Sequence, residues 1–450
     1  MPRSRYRSTD ILTAMGARFS HAAAFGSAVL LVASAQAPRT QVTFGREVWP
    51  IIERRCVSCH QAGEIAPMPF TSYTEVRPWA RAIRQAVLTG KMPPWDAVNH
   101  NHAFRNERRL PDEDIRTIVS WVESGTPEGP RIAAYTSAKR ENRWKLGKPD
   151  WQVQVPGFQV PQKGPVPYSF LIVPTHFTED VWVRAAEFRI DQRSVIHHIN
   201  AFVRPPGSSF LEGFPAGHIF VPTLAERGRK RPNESIFNRR ELLQGYEPGY
   251  EPTPWLMNGA KLIRAGSDVV FELHYNPNGT PVVDHSELAL YFAKAPPEER
   301  VLAIDTLRDL DLLIPANDGN YRSEASLTLT QPVRLLSLQP HMHLRGKAMQ
   351  VRAEYPDGRV DVLVDVPKYD FNWQTTYMLK QPLLLPPLTK LISVAHFDNS
   401  PNNPYNPDSN AIVHWGDQTF DEMHIAFLEL AVDRSANVDH LLNQQPKMIH

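Results

Sequence analysis

The chain has 450 residues, 42% hydrophobic and 22% charged, with 49 Lys and Arg against 48 Asp and Glu. This is the composition of a globular protein of about two to four domains, and it excludes both a basic nucleic-acid-binding field and an acidic solvating tail. Its 41 prolines favour short strands and loops, and its 17 histidines raise the question of clustering.

Residues 1–37 read as an export signal. Arg3, Arg5, Arg7 and Arg18 precede an apolar run from Ala22 to Val32, and small-residue cleavage candidates follow at Ala33-Ser34-Ala35 and Ala35-Gln36-Ala37. Pro38, directly after the second, favours the first. The run is short for a bilayer span, so a retained anchor is the alternative. No later stretch approaches that length, and the expected product is periplasmic or secreted, with no membrane span after cleavage.

Residues 40–130 predict a small helical unit. Phe44, Val48, Ile51 and Ile52 recur at helical spacing, as do Val76, Trp79, Ile83 and Val87, and Gly90 stops that second run. Pro111-Asp112-Glu113-Asp114 opens a third helix, because proline and acidic side chains suit a first turn. Behind the first helix lies Cys56-Val57-Ser58-Cys59-His60, with the only two cysteines of the chain. Cys-x-x-Cys-His is the attachment pattern of c-type haem: two thiols take the vinyl groups and the histidine ligates iron. A redox dithiol would want a βαβ setting, and a zinc site a second ligand pair. Met92, in Lys91-Met92-Pro93-Pro94-Trp95, is the leading candidate for the second iron ligand, ahead of Met68 and of His100 or His102. Helix, haem motif, long middle and C-terminal helix resemble the small cytochromes c over about 90 residues.

Residues 131–150 read as a linker. From Trp151 the pattern becomes short Val/Ile/Phe/Tyr runs between Pro, Gly, Asn and Asp turns, among them Tyr168-Val173, Val181-Ile190, Ile199-Val203, Val269-Tyr275, Leu288-Ala293, Ser326-Thr330, Ala348-Tyr355, Leu391-Phe397 and Ile425-Val432. Many short strands predict β-sandwich or jelly-roll architecture. The length suggests two such units, 151–298 and 299–435, with a border at the proline-rich stretch near Ala295-Arg300 and a tail over 436–450. The stretch 204–267 reads as a long loop region.

Histidines in this part fall in distinctive places: His197-His198, His274-Tyr275 and His341-Met342-His343. Neutral imidazole ligates copper, zinc and iron. Residues i and i+2 of a strand share a face, so His341 and His343 can reach one metal; His197 and His198 need a bulge or a strand end to do so. A lone His274 is more often structural.

An adjacent His pair, a His-Tyr, a His-x-His and then Asp421-Glu422-Met423 resembles the copper type II, ascorbate-dependent monooxygenases, the peptidylglycine α-hydroxylating and dopamine β-type enzymes, over roughly residues 165–432. The resemblance implies an electron-transfer copper on His197, His198 and His274, and an oxygen-binding copper on His341, His343 and Met423, each in its own jelly-roll domain across a cleft. With the cytochrome resemblance it implies a small all-α cytochrome c domain followed by all-β tandem jelly-roll sandwiches, and C–H hydroxylation of a small substrate by dioxygen; the departures below make that substrate apolar. An external donor would reduce the haem, with ascorbate as a candidate further reductant. Three departures narrow this. The family's disulfides are absent. The arginine that grips a peptide carboxylate is replaced by Gln339, and the family's Asn and Tyr after the methionine by Ile425 and Phe427. His424 reads as structural, His414 as a neighbour of the ligands, and Tyr369, Trp373 and Tyr377 as cleft or core aromatics. The competing readings are a non-catalytic copper and haem electron-transfer or copper-handling protein, and a structural β module with hydrogen-bonded histidines.

Overall fold

The structure, a computed structural model, describes residues 41–98, 100–130, 144–228, 231, 234–250, 252–416 and 418–444. The expected export signal and most of the linker lie outside them. The described residues from Val42 onward belong to one compact unit. The unit is mostly β, with short helices near its N-terminal end.

Those helices follow the sequence periods, with irregularities. A π turn, Phe44–Val48, leads into the α-helix Trp49–Arg55, which runs straight into Cys56. The second run is broken into Tyr73–Val76, a 3-10 turn Arg77–Trp79 and Ala80–Leu88, because Pro78 cannot continue the hydrogen-bond ladder. Asp112–Glu123 forms the third helix, with three acidic residues in its first turn. Phe44, Ile52, Val76, Ile118 and Trp121 close a core of their own.

The segment between the second and third helices lies along the C-terminal β part. Val98 and Phe104 make isolated bridges to Asp365 and Leu379, and Arg105 N–H donates to the Met378 carbonyl at 2.8 Å. Trp95, Phe104 and Tyr377 pack edge to face or tilted beneath it. His100 and His102 are held by Asp365 and Asp361 at 2.8 and 2.9 Å. On the other side Arg108 donates to the Gly249 carbonyl, and Arg193 faces Glu64 at 3.6 Å. The cysteine motif is thereby fixed against both β parts.

The strands form two five-stranded sheets and one of eight strands, besides two short pairs. One five-stranded sheet carries Ser169–Pro174, Asp268–Tyr275 and Ile196–Arg204 side by side. The other carries Gly346–Glu354, Lys390–Phe397 and Tyr321–Leu329. The eight-stranded sheet draws on both parts: its halves meet where Glu299 and Arg300 pair in parallel with Gly259 and Ala260. Two apolar cores lie behind, one on each side of that junction, built around Phe271 and Leu290 and around Leu338 and Phe397.

Two sequence expectations change. The stretch 204–267 holds the strands Ile219–Phe220, Glu241–Tyr246 and Gly259–Ile263 and two short helices. Glu241 and Lys261 sit buried within those strands, against Arg300 at 3.1 Å and Glu429 at 2.9 Å, so their charges conceal the apolar alternation. The expected tail contributes an edge strand, Leu442–Gln444, against Leu327–Leu329.

Candidate functional site

His197 and His198, His341 and His343, and Cys56, Cys59 and His60 line one cavity of about 1800 Å³. That exceeds the roughly 300–1,000 Å³ usual for a small-ligand pocket, so there is room for more than one group.

The first histidine group is made by strand register. His198 lies directly across from His274, and the pairing slips between Ile196 and His198. This slip is a bulge, and it turns His197 to the same side as its neighbour. The ligand atoms of His197, His198 and His274 lie within 4.8 Å of one another. Nδ1 of His197 and Nδ1 of His198 are 3.1 Å apart. Nδ1 of His274 is buried with no hydrogen-bond partner among the described residues. Leaving such an atom unmade costs free energy, and a metal ion at the centre of the three nitrogens would remove that cost. On the far side of His198, Nε2 faces Glu272 Oε1 at 3.7 Å. Tyr168 stacks on His274 at 4.2 Å.

The second group is made by a turn. His341 ends the strand Val333–His341, and His343 lies just past it, so the two do not share a regular strand face as expected. Their rings still meet at 5.3 Å and 89°. The turn is stapled from three directions. Glu422 accepts from the backbone N–H of His343 and Arg345 at 2.8 and 2.6 Å. The Tyr369 hydroxyl donates to the Met342 carbonyl at 2.7 Å. The buried Arg345 side chain donates to Asn399 Oδ1 and the Phe420 carbonyl. Gly346 is needed here, since a Cβ would come within 2.6 Å of Met342 Cβ. Nδ1 of His341 bonds Gln374 Oε1 at 2.7 Å, and Nδ1 of His343 bonds the Asp421 carbonyl at 3.3 Å. Each Nδ1–H is thereby a donor, which leaves Nε2 as the free lone pair. Met423 lies in the same cavity wall, two residues before the strand Ile425–Asp433.

Burial, reinforced by neighbouring imidazoles, pushes His197 and His343 down to about 3 and His274 down to about 2. Burial brings His341 to about 4. These four are neutral at physiological pH, the form that ligates metal. Glu272 is held at about 2: burial opposes its charge, but His198 and Arg240 outweigh it.

The two groups are neighbours. The Phe371 ring stacks on His197 at 5.6 Å and stands edge-on to His343 at 6.0 Å, so one phenyl ring fills the gap between them. Glu247 sits in the same wall. Its Oε2 accepts from Gln339 Nε2 at 3.0 Å and its Oε1 from Thr376 N–H at 3.2 Å. Burial pushes its carboxyl up to about 7.

The same cavity is lined by Cys56, Cys59 and His60. His60 Nδ1 lies 3.1 Å from the Met68 carbonyl, and Phe70 stacks flat on the ring at 4.2 Å. The Nδ1–H is therefore spent, Nε2 is left for a ligand, and burial keeps the ring neutral. Both thiols are unpaired. Burial, then the neighbouring Cys59, pushes the Cys56 thiol up to about 12, which argues against a thiolate nucleophile. Met92 and Met68 both reach this wall. Met68 also packs against the helical core, whereas His100 and His102 are committed to their aspartates. The donor set fits a covalently held haem.

Other histidines have structural partners. His424 is buried, with Ser323 Oγ and Ser393 Oγ each 2.8 Å from a ring nitrogen. His414 is exposed in a two-residue strand. Of the expected cleft aromatics, Tyr369 braces the turn, Trp373 lines the cavity and Tyr377 is core. Sequence reasoning missed Phe371, Gln374, Glu247 and Glu272. Glu422 stood beside the proposed methionine ligand in sequence, so its bracing role had a visible address.

No family model and no curated protein matches the chain. Among solved structures, it is similar to the major capsid protein P2 of bacteriophage PM2 at 10% identity, over 64% of this chain and 99% of that one, with a TM-score of 0.26. An infectious bursal disease virus Gt strain structure gives 10% identity over 65% and 75%, TM-score 0.18. A putative secreted protein from Eubacterium rectale gives 9% over 59% and 69%, TM-score 0.18. At these TM-scores the likenesses carry no argument.

Proposed function

We propose that this chain is an exported copper-dependent monooxygenase that carries its own c-type haem, a cytochrome c-like unit followed by two jelly-roll sandwiches. The observation that carries the reading is that two groups of metal-type ligands, the clustered His197, His198 and His274 and the pair His341 and His343 with Met423, lie on or beside one cavity that Cys56, Cys59 and His60 also line. The reaction class is C–H hydroxylation of a small molecule: substrate, dioxygen, two electrons and two protons give the alcohol and water. The electrons would come from an external donor, and an attached haem would supply the means to take them up.

His197, His198 and His274 would hold one copper through Nδ1. His341 and His343 through Nε2, with the Met423 thioether, would hold the other. Cys56, Cys59 and His60 would hold haem, with Met92 the candidate for a further iron ligand. Bound copper and haem supply the redox chemistry, and a thioether among imidazoles favours the reduced copper. The protein's own contribution is placement. The bulge at His197 and the stapled turn at His343 fix both imidazole sets before any metal arrives. Phe371 fills the space between them and keeps water out of it. Glu247, with a carboxyl near neutrality, is placed to hold or release a proton in the same wall. Tethering the haem unit makes electron delivery intramolecular.

The test is anaerobic stopped-flow mixing of haem-reduced, copper-oxidised protein. The expected result is haem reoxidation with matching loss of the Cu(II) signal; a haem that stays reduced sinks the coupling. Oxygen uptake separates an enzyme from a copper-handling protein, since only an enzyme consumes oxygen in proportion to substrate.

A further inference from the structure

One wall of the cavity gathers three arginines, Arg239, Arg240 and Arg308, around Asp305. Arg240 follows the short helix Ile236–Arg239, and Arg308 ends the strand Glu299–Arg308. Both turn to one carboxylate: Arg308 Nη1 donates to Asp305 Oδ2 at 3.0 Å, and Arg240 Nη2 reaches the same oxygen at 3.5 Å. Arg239 adds a third guanidinium, and burial followed by the Arg240 charge pulls it down to about 10. Nε of Arg308 is buried without a hydrogen-bond partner among the described residues.

Two other carboxylates nearby feel these charges as well, Glu272 that of Arg240 and Glu234 that of Arg239. Glu272 faces His198 and Asn200, Glu241 holds Arg300, and Glu234 accepts from Ser209 and Arg231. Arg240 and Arg308 thus share a single Asp305 oxygen, with Arg308 Nε unpartnered among the described residues, while Arg239 donates to the Arg227 carbonyl; an anion in the cavity would supply acceptors for these forks. The Arg240 and Arg308 side chains each keep 26% of their surface exposed, so a ligand in the cavity can reach them. The surroundings are apolar: the Arg240 guanidinium lies 4.6 Å from the Phe202 ring and 5.0 Å from that of Phe210.

Sheet register relates this cluster to the second histidine group. Arg308 and His341 both pair with Ile425, from its two neighbouring strands. Residues in one row of a sheet project from one face, and two strand spacings are about 10 Å. Met423 lies two residues before that shared partner.

We propose that Arg240 and Arg308, with Arg239, form an anion subsite that takes the carboxylate or phosphate group of an otherwise apolar ligand. Guanidinium forks match such oxyanions in geometry. That the anion belongs to the molecule oxidised near His341, His343 and Met423 rests on the function proposed above; the subsite itself does not. An apolar body with an anionic end also revises the expectation of a wholly apolar substrate.

The experiment is calorimetric titration of the full-length, metal-loaded protein with hexanoate, its neutral analogue hexanamide, and inorganic phosphate. Hexanoate is expected to bind at least tenfold more tightly than hexanamide. An Arg240→Gln/Arg308→Gln double variant should lose that preference while keeping its affinity for hexanamide. Phosphate that displaces hexanoate assigns the subsite to oxyanions in general; phosphate that does not assigns it to carboxylates on an apolar chain. Equal binding of acid and amide, or an unchanged double variant, overturns the proposal. Should the double variant fail to fold, Arg308→Lys keeps the charge and loses the fork, and an unchanged hexanoate affinity there overturns it equally. Repeating the titration after copper removal separates the two claims. Hexanoate preference that survives supports the subsite whatever becomes of the copper reading. Two coppers per chain with no preference for the acid overturns the subsite alone.

Discussion

The two histidine groups reach similar ends by different local means. His197, His198 and His274 stand on adjacent strands, and a single bulge brings their nitrogens together. His341 and His343 stand at a strand end and in a turn that Glu422, Tyr369 and Arg345 hold in place. In the first group one Nδ1 is left buried and unpartnered; in the second both Nδ1 atoms are already bonded. A sheet positions its ligands through backbone register, whereas a turn needs side-chain partners to do the same. The first group should therefore depend chiefly on its ligands, with Glu272 behind His198, and the second on a larger supporting shell.

The largest expected effect breaks the first group outright. His274→Ala should lower copper content from two per chain to one, as read by metal analysis, and leave the second group's signal in place. A smaller effect tests the supporting shell: Gln374→Leu removes the partner of His341 Nδ1 and should weaken metal affinity at the second group by about 10–100-fold, with no change at the first. Equal weakening at both groups contradicts the distinction.

His424→Ala sharpens the boundary between ligand and scaffold. It leaves the buried Ser323 and Ser393 hydroxyls without that partner, which should cost about 1–3 kcal/mol of stability in a denaturant melt. Copper content should not move. A lost copper would make His424 a ligand after all.

The smallest effect concerns Glu247, which bridges the β parts through Gln339 and Thr376. Burial raises its carboxyl from 4.5 to about 7. Between those values the folded state holds more proton than the unfolded one, so the contribution of this group to stability is complete at low pH and is lost as pH rises through about 7. The melting temperature of the wild type relative to Glu247→Gln should accordingly fall between about pH 5 and 8. A flat difference contradicts the shift.

Much of this was visible in the sequence, for definite reasons. Runs such as Val269–Tyr275 and Leu391–Phe397 have the β-branched and aromatic content of buried strands, and they are strands in the structure. Glu241–Tyr246 and Glu299–Arg308 escaped because their buried charges pair across sheets, and pairing across sheets has no local signature. The histidine order was legible, as was the need for a bulge at His197. Phe371 and Gln374 were not legible, because each meets its histidine only through tertiary packing. The Asp305 cluster escaped for the same reason: Arg240 and Arg308 lie far apart in sequence and converge only when the sheets assemble.

Metal and haem content of the full-length protein, produced with haem attachment and loaded with copper, tests the central claim most directly. Two coppers and one covalent haem per chain are predicted, with one copper lost from His274→Ala and the other from His343→Ala. A chain that takes up no copper, or loses none in either variant, contradicts it.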